Sequence, residues 1–395
     1  MHRVIDCDQH LYEYRGLWEE HIDPGMRHEA LRFVEDALGH VRLTWRERVL
    51  TVADVQTPGE TDAIGERRRR EREGRPPDAR YDEILPRDYW DPRARVERLA
   101  ALGVDEAIVF PNYGLGWERT LSRDLPALRA NMTAWNRWCA TVVQEGGGRL
   151  HPVAHLTLRD AQWLEQELAR LARAGVRTAM IAPAQVDGRA LSHPDLERVW
   201  AGFVHHGVSP CFHVADQPKV FDAAWYAGRD EHGVFAIDTV LLYVPAALSL
   251  TDMILNGVFE RHPDLRLGIV ELSAVWVPLF LMMLDGGSDF VRRLEGTDSG
   301  LTMRPSDYFR RQVRVASFAY ELPGHLARQL GGADLLMCCS DYPHSEGTAH
   351  PLDDYAAGKP GLRPAEARGL FHDNAAFLLR KDAPRASARA NEETT

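Results

Sequence analysis

Cysteine is scarce in this chain of 395 residues. The five present, Cys7, Cys139, Cys211, Cys338 and Cys339, are odd in number and set among apolar neighbours. That fits reduced thiols in a core better than a disulfide framework. Long apolar runs are missing as well; none approaches the roughly 20 residues of a membrane span. The first residues, MHRVIDCDQHLYEY, carry acids and histidines where a signal peptide needs an apolar stretch, so a cytoplasmic protein with no membrane role is expected. A basic surplus is also absent. Lys and Arg number 47 against 58 Asp and Glu, a net charge of −11, which speaks against a nucleic-acid partner.

What is there is a globular composition, 45% hydrophobic and 27% charged, together with seventeen histidines, the commonest metal ligands. At roughly 150 residues per domain the length suggests two or three domains, but a (β/α)8 barrel runs from about 200 to more than 400 residues as one. Short apolar β-type runs at 4–7, 106–110, 150–156, 178–181, 209–214, 265–270, 313–317 and 335–339 alternate with helical stretches. Alternation of this kind predicts parallel α/β architecture, and eight strands predict a closed (β/α)8 TIM barrel over residues 1–380. Helical periodicity is clear at 160–174, with Leu164, Leu168 and Leu171 on one face and Gly175 as the stop. It recurs at 194–206, with Ser192 as N-cap and Gly207 as the end. The alternation fails at about 34–88, a long insertion after the first strand that contains no clean helix. Its run of arginines at 67–70 is interleaved with Glu66, Glu71 and Glu73 and reads as a solvated helix or mobile loop. Placed after the first strand, the insertion would lie on the catalytic face as a cover or dimer contact. Residues 381–395 are polar and small and are expected to form a disordered tail.

Chemistry-bearing residues gather at the predicted strand ends. Asp8 and His10 share one side of the first strand, with Asp6 if the strand extends that far. A metal clamp and a capped strand end are both open readings there. His213 ends the fifth strand and Asp341 the eighth, where Asp341 would also serve as an ordinary Asx cap. Taken together, two carboxylates and two imidazoles at the C-terminal ends of barrel strands match one divalent ion, zinc first, with manganese or iron as alternatives. Glu271, ending the sixth strand, is a candidate general acid or base, or else a salt-bridge partner. Glu13 stands three residues beyond His10, and His344 and His350 follow Asp341 in a loop that could orient an anionic substrate. Tyr113, Trp117 and Trp276 lie just beyond strands and are candidates to line a substrate pocket; His155 reads as structural.

Five segments carry a resemblance: VIDCDQHLYE from Val4, FHV around His213, FERHPDLRLGIVELSAVWVP from Phe259, CSDYPHSEG from Cys339, and HDNAAFLL from His372. The chain resembles the amidohydrolase superfamily, nearest to the branch of aminocarboxymuconate-semialdehyde decarboxylase, resorcylate-type decarboxylases and carbon–carbon bond hydrolases. This implies metal ligands Asp8, His10, His213 and Asp341 and a homodimer acting on a small molecule. Two departures stand out: Asp8 replaces a frequent histidine, and Glu271 occupies the position of the decarboxylases' catalytic histidine. The expected function is therefore a mononuclear metal-dependent hydrolase, in which Asp341 takes a water proton and Glu271 or His344 assists. A non-oxidative decarboxylase is the alternative, and a catalytically silent barrel used for binding is the third reading.

Overall fold

The structure is a computed structural model and describes residues 3–214, 221, 223–226, 236–296, 300–357 and 362–381. Its centre is an eight-stranded parallel sheet: β1 (Ile5–Leu11), β5 (Glu106–Pro111), β6 (Leu150–His155), β7 (Thr178–Ile181), β8 (Ser209–His213), β9 (Leu267–Val270), β10 (Val313–Ser317) and β11 (Leu336–Cys338). The strands neighbour one another in chain order, as right-handed βαβ crossovers dictate. The last meets the first just beyond β11, where Asp341 N donates to Asp8 O at 2.9 Å and His10 N to Tyr342 O at 2.8 Å. The expected (β/α)8 barrel is thus the observed one. All eight strand runs read from the sequence are present, because strands covered on both faces leave continuous apolar segments.

Two layers of core follow from this closure. Ile5, Cys7, Ile108, Phe110, Val153, Met180, Cys211, Val270, Ala316 and Met337 fill the barrel interior. The short helix Asn374–Leu378 plugs its N-terminal end, with Ser209 Oγ donating to Leu378 O at 2.8 Å. Gly268 is demanded there, since a Cβ would stand 2.9 Å from Leu378 Cδ1 and 3.0 Å from Cys211 Sγ. The outer layer is made by helices such as Ala161–Arg173, which Asp160 caps by accepting from Trp163 N at 2.9 Å and which buries Leu164, Leu168 and Leu171. The helix Glu197–His206 ends at Gly207 (φ 63°) as expected, but the N-cap of the 3-10 turn leading into it is His193. Ser192 instead binds Asp252, through its hydroxyl at 2.7 Å and its amide at 2.8 Å.

The insertion is more ordered than its sequence suggested. It holds an antiparallel sheet of β2 (Arg32–Glu35), β3 (Val41–Trp45) and β4 (Arg48–Val52), then a helix, Thr61–Arg72. That helix buries only Ile64, so it shows no apolar stripe to read. Its arginines are neutralised locally: Arg70 meets Glu66 at 3.4 Å and Arg68 meets Asp54 at 3.6 Å. The sheet contributes Val41, Leu43 and Trp45 to the same apolar cluster as the barrel helices. Beyond β4 the chain crosses the C-terminal end of the barrel, where Gln56 accepts from Ser345 N at 2.8 Å and Gly59 N donates to Ser345 O at 2.9 Å. The insertion is therefore tied to the loop that follows β11. The expected tail lies outside the described residues apart from Lys381. Among the described residues no helix is long and apolar enough to cross a membrane.

Candidate metal centre

The site begins with an irregularity in β1. Its pairing with β5 runs Asp6↔Ala107 and then Gln9↔Val109, one extra residue on β1. This bulge undoes strict alternation, so Ile5 and Cys7 face the interior and Asp8 and His10 also point into it further along. The expectation that Asp6 joins them is corrected. Its carboxylate braces the barrel seam, accepting from Gln9 Nε2 at 2.9 Å, Ser340 Oγ at 2.5 Å, Ser340 N at 3.0 Å and Asp8 N at 3.1 Å. Burial pushes its pKa up to about 6 against these bonds. Arg95, fully buried, completes the brace by donating to Gln9 Oε1 at 3.2 Å and His10 O at 2.9 Å.

Both imidazoles are held the same way. His10 Nδ1 lies 3.0 Å from Pro111 O and His213 Nδ1 lies 2.8 Å from Val214 O. A carbonyl only accepts, so each Nδ1 carries a proton, which leaves Nε2 as the inward-facing nitrogen that a cation would take. His10 Nε2 is 3.4 Å from Asp8 Oδ1 and 3.2 Å from Asp341 Oδ1; His213 Nε2 is 3.5 Å from Asp8 Oδ1 and 3.2 Å from Glu271 Oε2. Asp341 and Glu271 both follow strand ends in left-handed backbone, φ 55° and 51°, conformations uncommon outside glycine. Gly347 makes the first possible, because a Cβ there would stand 2.4 Å from Asp341 O.

Three carboxylates in one buried place need positive charge. Burial raises the Glu271 pKa well above the ordinary range, and the Asp341 and Asp8 charges raise it further. Burial works against ionised Asp341 too, but His344 and His10 outweigh it and hold that carboxyl below the usual range. For His10 the burial cost is overcome by Asp341 and Asp8, which lift its pKa to about 10. The donor set fits a cation. Both oxygens of Asp8 and Asp341, Glu271 Oε2 and the Nε2 atoms of His10 and His213 are buried without a hydrogen-bond partner. Metal bonds of about 2.0–2.2 Å at tetrahedral to octahedral angles separate neighbouring donors by about 3–3.5 Å, the spacing found here. Two overlapping donor sets could hold the ion: Asp8, His10, His213 and Glu271, and His10, Glu271, Asp341 and His344.

The sequence profile of the amidohydrolase family matches residues 5–381. The chain belongs to the amidohydrolase family. A search of curated proteins found no match. Among solved structures, the fold is similar to an amidohydrolase from Mycobacterium avium subsp. paratuberculosis K-10, with 24% identity and a TM-score of 0.76 over 96% of this chain and 99% of that one. It is also similar to 5-carboxyvanillate decarboxylase from Novosphingobium aromaticivorans DSM 12444, complexed with manganese and 4-hydroxy-3-methoxy-5-nitrobenzoic acid. There the identity is 21% and the TM-score 0.62, over 83% of this chain and 99% of that one. The 2,6-dihydroxybenzoate decarboxylase from Rhizobium shares 15% identity at a TM-score of 0.60, over 97% of this chain and all of that one.

In this member of the family the remaining candidates divide. His344 belongs to the centre: its Nδ1 is 2.8 Å from Asp341 Oδ1, its ring stacks on His10 at 3.9 Å, and its Nε2 is 2.8 Å from Asn112 Oδ1. Sequence reasoning missed Asn112, which is distant in the chain and carries no motif. Glu13 is turned away, accepting from Tyr113 N at 2.9 Å and Gly114 N at 2.8 Å. The three aromatic candidates are packed rather than offered to a ligand. Trp117 is fully buried edge-on to His155, Tyr113 pairs its hydroxyl with Tyr81 at 2.8 Å, and Trp276 stacks on Tyr243 while donating to Ser273 O at 2.8 Å. His350 stands outside the cluster, and His155 is buried beside Glu118 at 3.4 Å.

Proposed function

We propose that the protein is a divalent-metal-dependent, non-oxidative decarboxylase of a small carboxylic acid. The observation that carries this is the buried cluster of Asp8, His10, His213 and Glu271, continued through His10 and Glu271 to Asp341 and His344, in which burial and the neighbouring carboxylates push Glu271 toward its protonated form. Similarity of fold to two decarboxylases supports the same choice over the hydrolase expected from the sequence. The oxygen-rich donor set suits manganese as well as zinc. When bound, the ion would offset the carboxylate charges and draw the substrate's carboxylate into the site.

The chain's own groups then divide the work. Glu271 gives its proton to the carbon that bears the carboxylate. The carbon–carbon bond breaks with its electron pair left on that carbon, and carbon dioxide departs. Glu271, 14% exposed at its side chain, regains a proton from solvent. Asp341 stays ionised, with His344 fixed against it by Asn112. A cleft of about 400 Å³ beside the ends of β10 and β11, lined by Phe318, Tyr320, Cys339, Ser340 and Glu346, has the volume for a small acid. The rings of Phe318 and Tyr320 stack at 5.2 Å on its wall.

One arrangement favours hydrolysis as the second reading: ionised Asp341 backed by His344 is also what a base needs to take a proton from water. Product analysis in labelled water separates the two. With a panel of aryl carboxylates, amides and thioesters, decarboxylation yields carbon dioxide and one deuterium on carbon in D2O. Oxygen-18 in the organic product without carbon dioxide would establish hydrolysis instead.

A further inference from the structure

Glu13 stands three residues beyond His10 and does not reach the donor cluster, yet its side chain is buried, 1% exposed. Among the described residues no ion pair includes it, and burial pushes its pKa up to about 7 against the backbone bonds it accepts. An acid buried without a cation is costly, and an apolar side chain of the same size would leave the fold more stable. Conflicts of this kind between a residue and stability are expected where function constrains the residue.

What the carboxylate holds is the loop that leaves β5. The ladder between β1 and β5 pairs His10 with Phe110 and Leu11 with Pro111, and Asn112 N then donates to Leu11 O at 3.2 Å. Past that rung the chain turns back so tightly that a Cβ on Gly114 would stand 2.7 Å from Pro111 Cβ. The next two amides go to Glu13: Oε2 accepts from Tyr113 N at 2.9 Å and Oε1 from Gly114 N at 2.8 Å. Two hydrogen bonds to an ionised group, one on each oxygen, fix the loop in both position and orientation.

Two imidazoles of the centre hang on this loop. Pro111 O lies 3.0 Å from His10 Nδ1, and Asn112 Oδ1 lies 2.8 Å from His344 Nε2. One strand therefore grips the loop twice, His10 at residue 111 and Glu13 at residues 113 and 114. His10 is common to both donor sets, and His344 belongs to the second. Any shift of the loop moves the partners of both rings.

We propose that Glu13 is a positioning residue of the metal centre: by holding the amides of Tyr113 and Gly114 it sets the loop from which Pro111 aims His10 and Asn112 aims His344. This role rests on the cluster binding a divalent ion and is independent of the reaction that the ion serves.

The test is the manganese affinity of the full chain without substrate, read at mildly alkaline pH from the electron paramagnetic resonance of the free ion. Glu13→Gln keeps the size but turns an NH2 group toward one of the two amide donors, and is expected to weaken binding by about 10–100-fold. Glu13→Asp keeps the charge with a shorter reach and should fall between that variant and the wild type. Glu106→Gln, which removes a buried acid at the opposite end of the barrel, should lower stability and leave the affinity unchanged. Wild-type affinity in both Glu13 variants, a loss in Glu106→Gln as large as in Glu13→Gln, or failure of both Glu13 variants to fold would assign Glu13 to stability alone and overturn the proposal. A wild type that binds no manganese would overturn the metal centre itself, and this role with it.

Discussion

At the scale of single residues the centre is a problem of charge. Asp8, Asp341 and Glu271 crowd one buried point, and without an ion the shortage of positive charge is met by protons, which His10 keeps up to about pH 10 and Glu271 keeps well above its ordinary range. A metal bound through His10 must displace the proton on its Nε2, while Glu271 keeps its own for the reaction, so metal affinity should rise with pH through the neutral and mildly alkaline range. Calorimetry of manganese binding in buffers of different ionisation enthalpy is expected to show at least one proton released per ion at pH 7–8. Glu271→Gln keeps the shape but removes the acid; turnover should fall by about 10²–10⁴ with the metal content unchanged. Asn112→Ala frees His344 and should cost about 10–100-fold in activity. That Asp8, His10, His213, Glu271 and Asp341 come together was legible in the sequence, because a strand end advertises polar residues after an apolar run. Asn112 was not, since only folding brings it to His344. Nor could the sequence separate an aromatic that packs, such as Trp117, from one that lines a cleft, such as Tyr320.

At the scale of elements, two departures from regularity build the site. The bulge in β1 turns Asp8 and His10 into the barrel, and the tight loop after β11 turns Asp341 toward them. Gly347→Ala should therefore shift Asp341 and lose metal while the fold persists, as metal analysis beside circular dichroism would show. Periodicity reveals strands and helices that bury a face, which is why the eight barrel strands were readable. It hides a bulge, a helix that is polar all round such as Thr61–Arg72, and short strands such as β2 whose pairing is set by distant turns. The opposite end of the barrel holds stability rather than chemistry. Glu106, buried at the start of β5, pays for its burial through bonds to His151 and Lys381, which bring its pKa down to about 2. Its contribution is complete above about pH 4.5 and is lost as pH falls toward 2, a span worth about 3 kcal/mol. Glu106→Gln should lower the unfolding free energy at pH 7 by an amount of that order, measured by urea titration.

At the scale of the whole molecule, the barrel, its insertion and its outward helix share one catalytic end. The insertion grips the loop of Asp341 through Gln56 and Ser345, and the helix Val277–Glu295 leaves directly from the loop of Glu271. Ligands that come from β1, β8 and β11 make metal binding a property of the folded chain. A hundredfold excess of manganese over its Kd should add about 2.7 kcal/mol of stability, visible as a raised melting temperature. The most direct test of the central claim is metal analysis after manganese loading and gel filtration, on the wild type beside Glu271→Gln, His10→Ala and His213→Ala. One ion per chain in the first two and none retained in the histidine variants is the predicted result. Equal metal in all four, or none in the wild type, would contradict it.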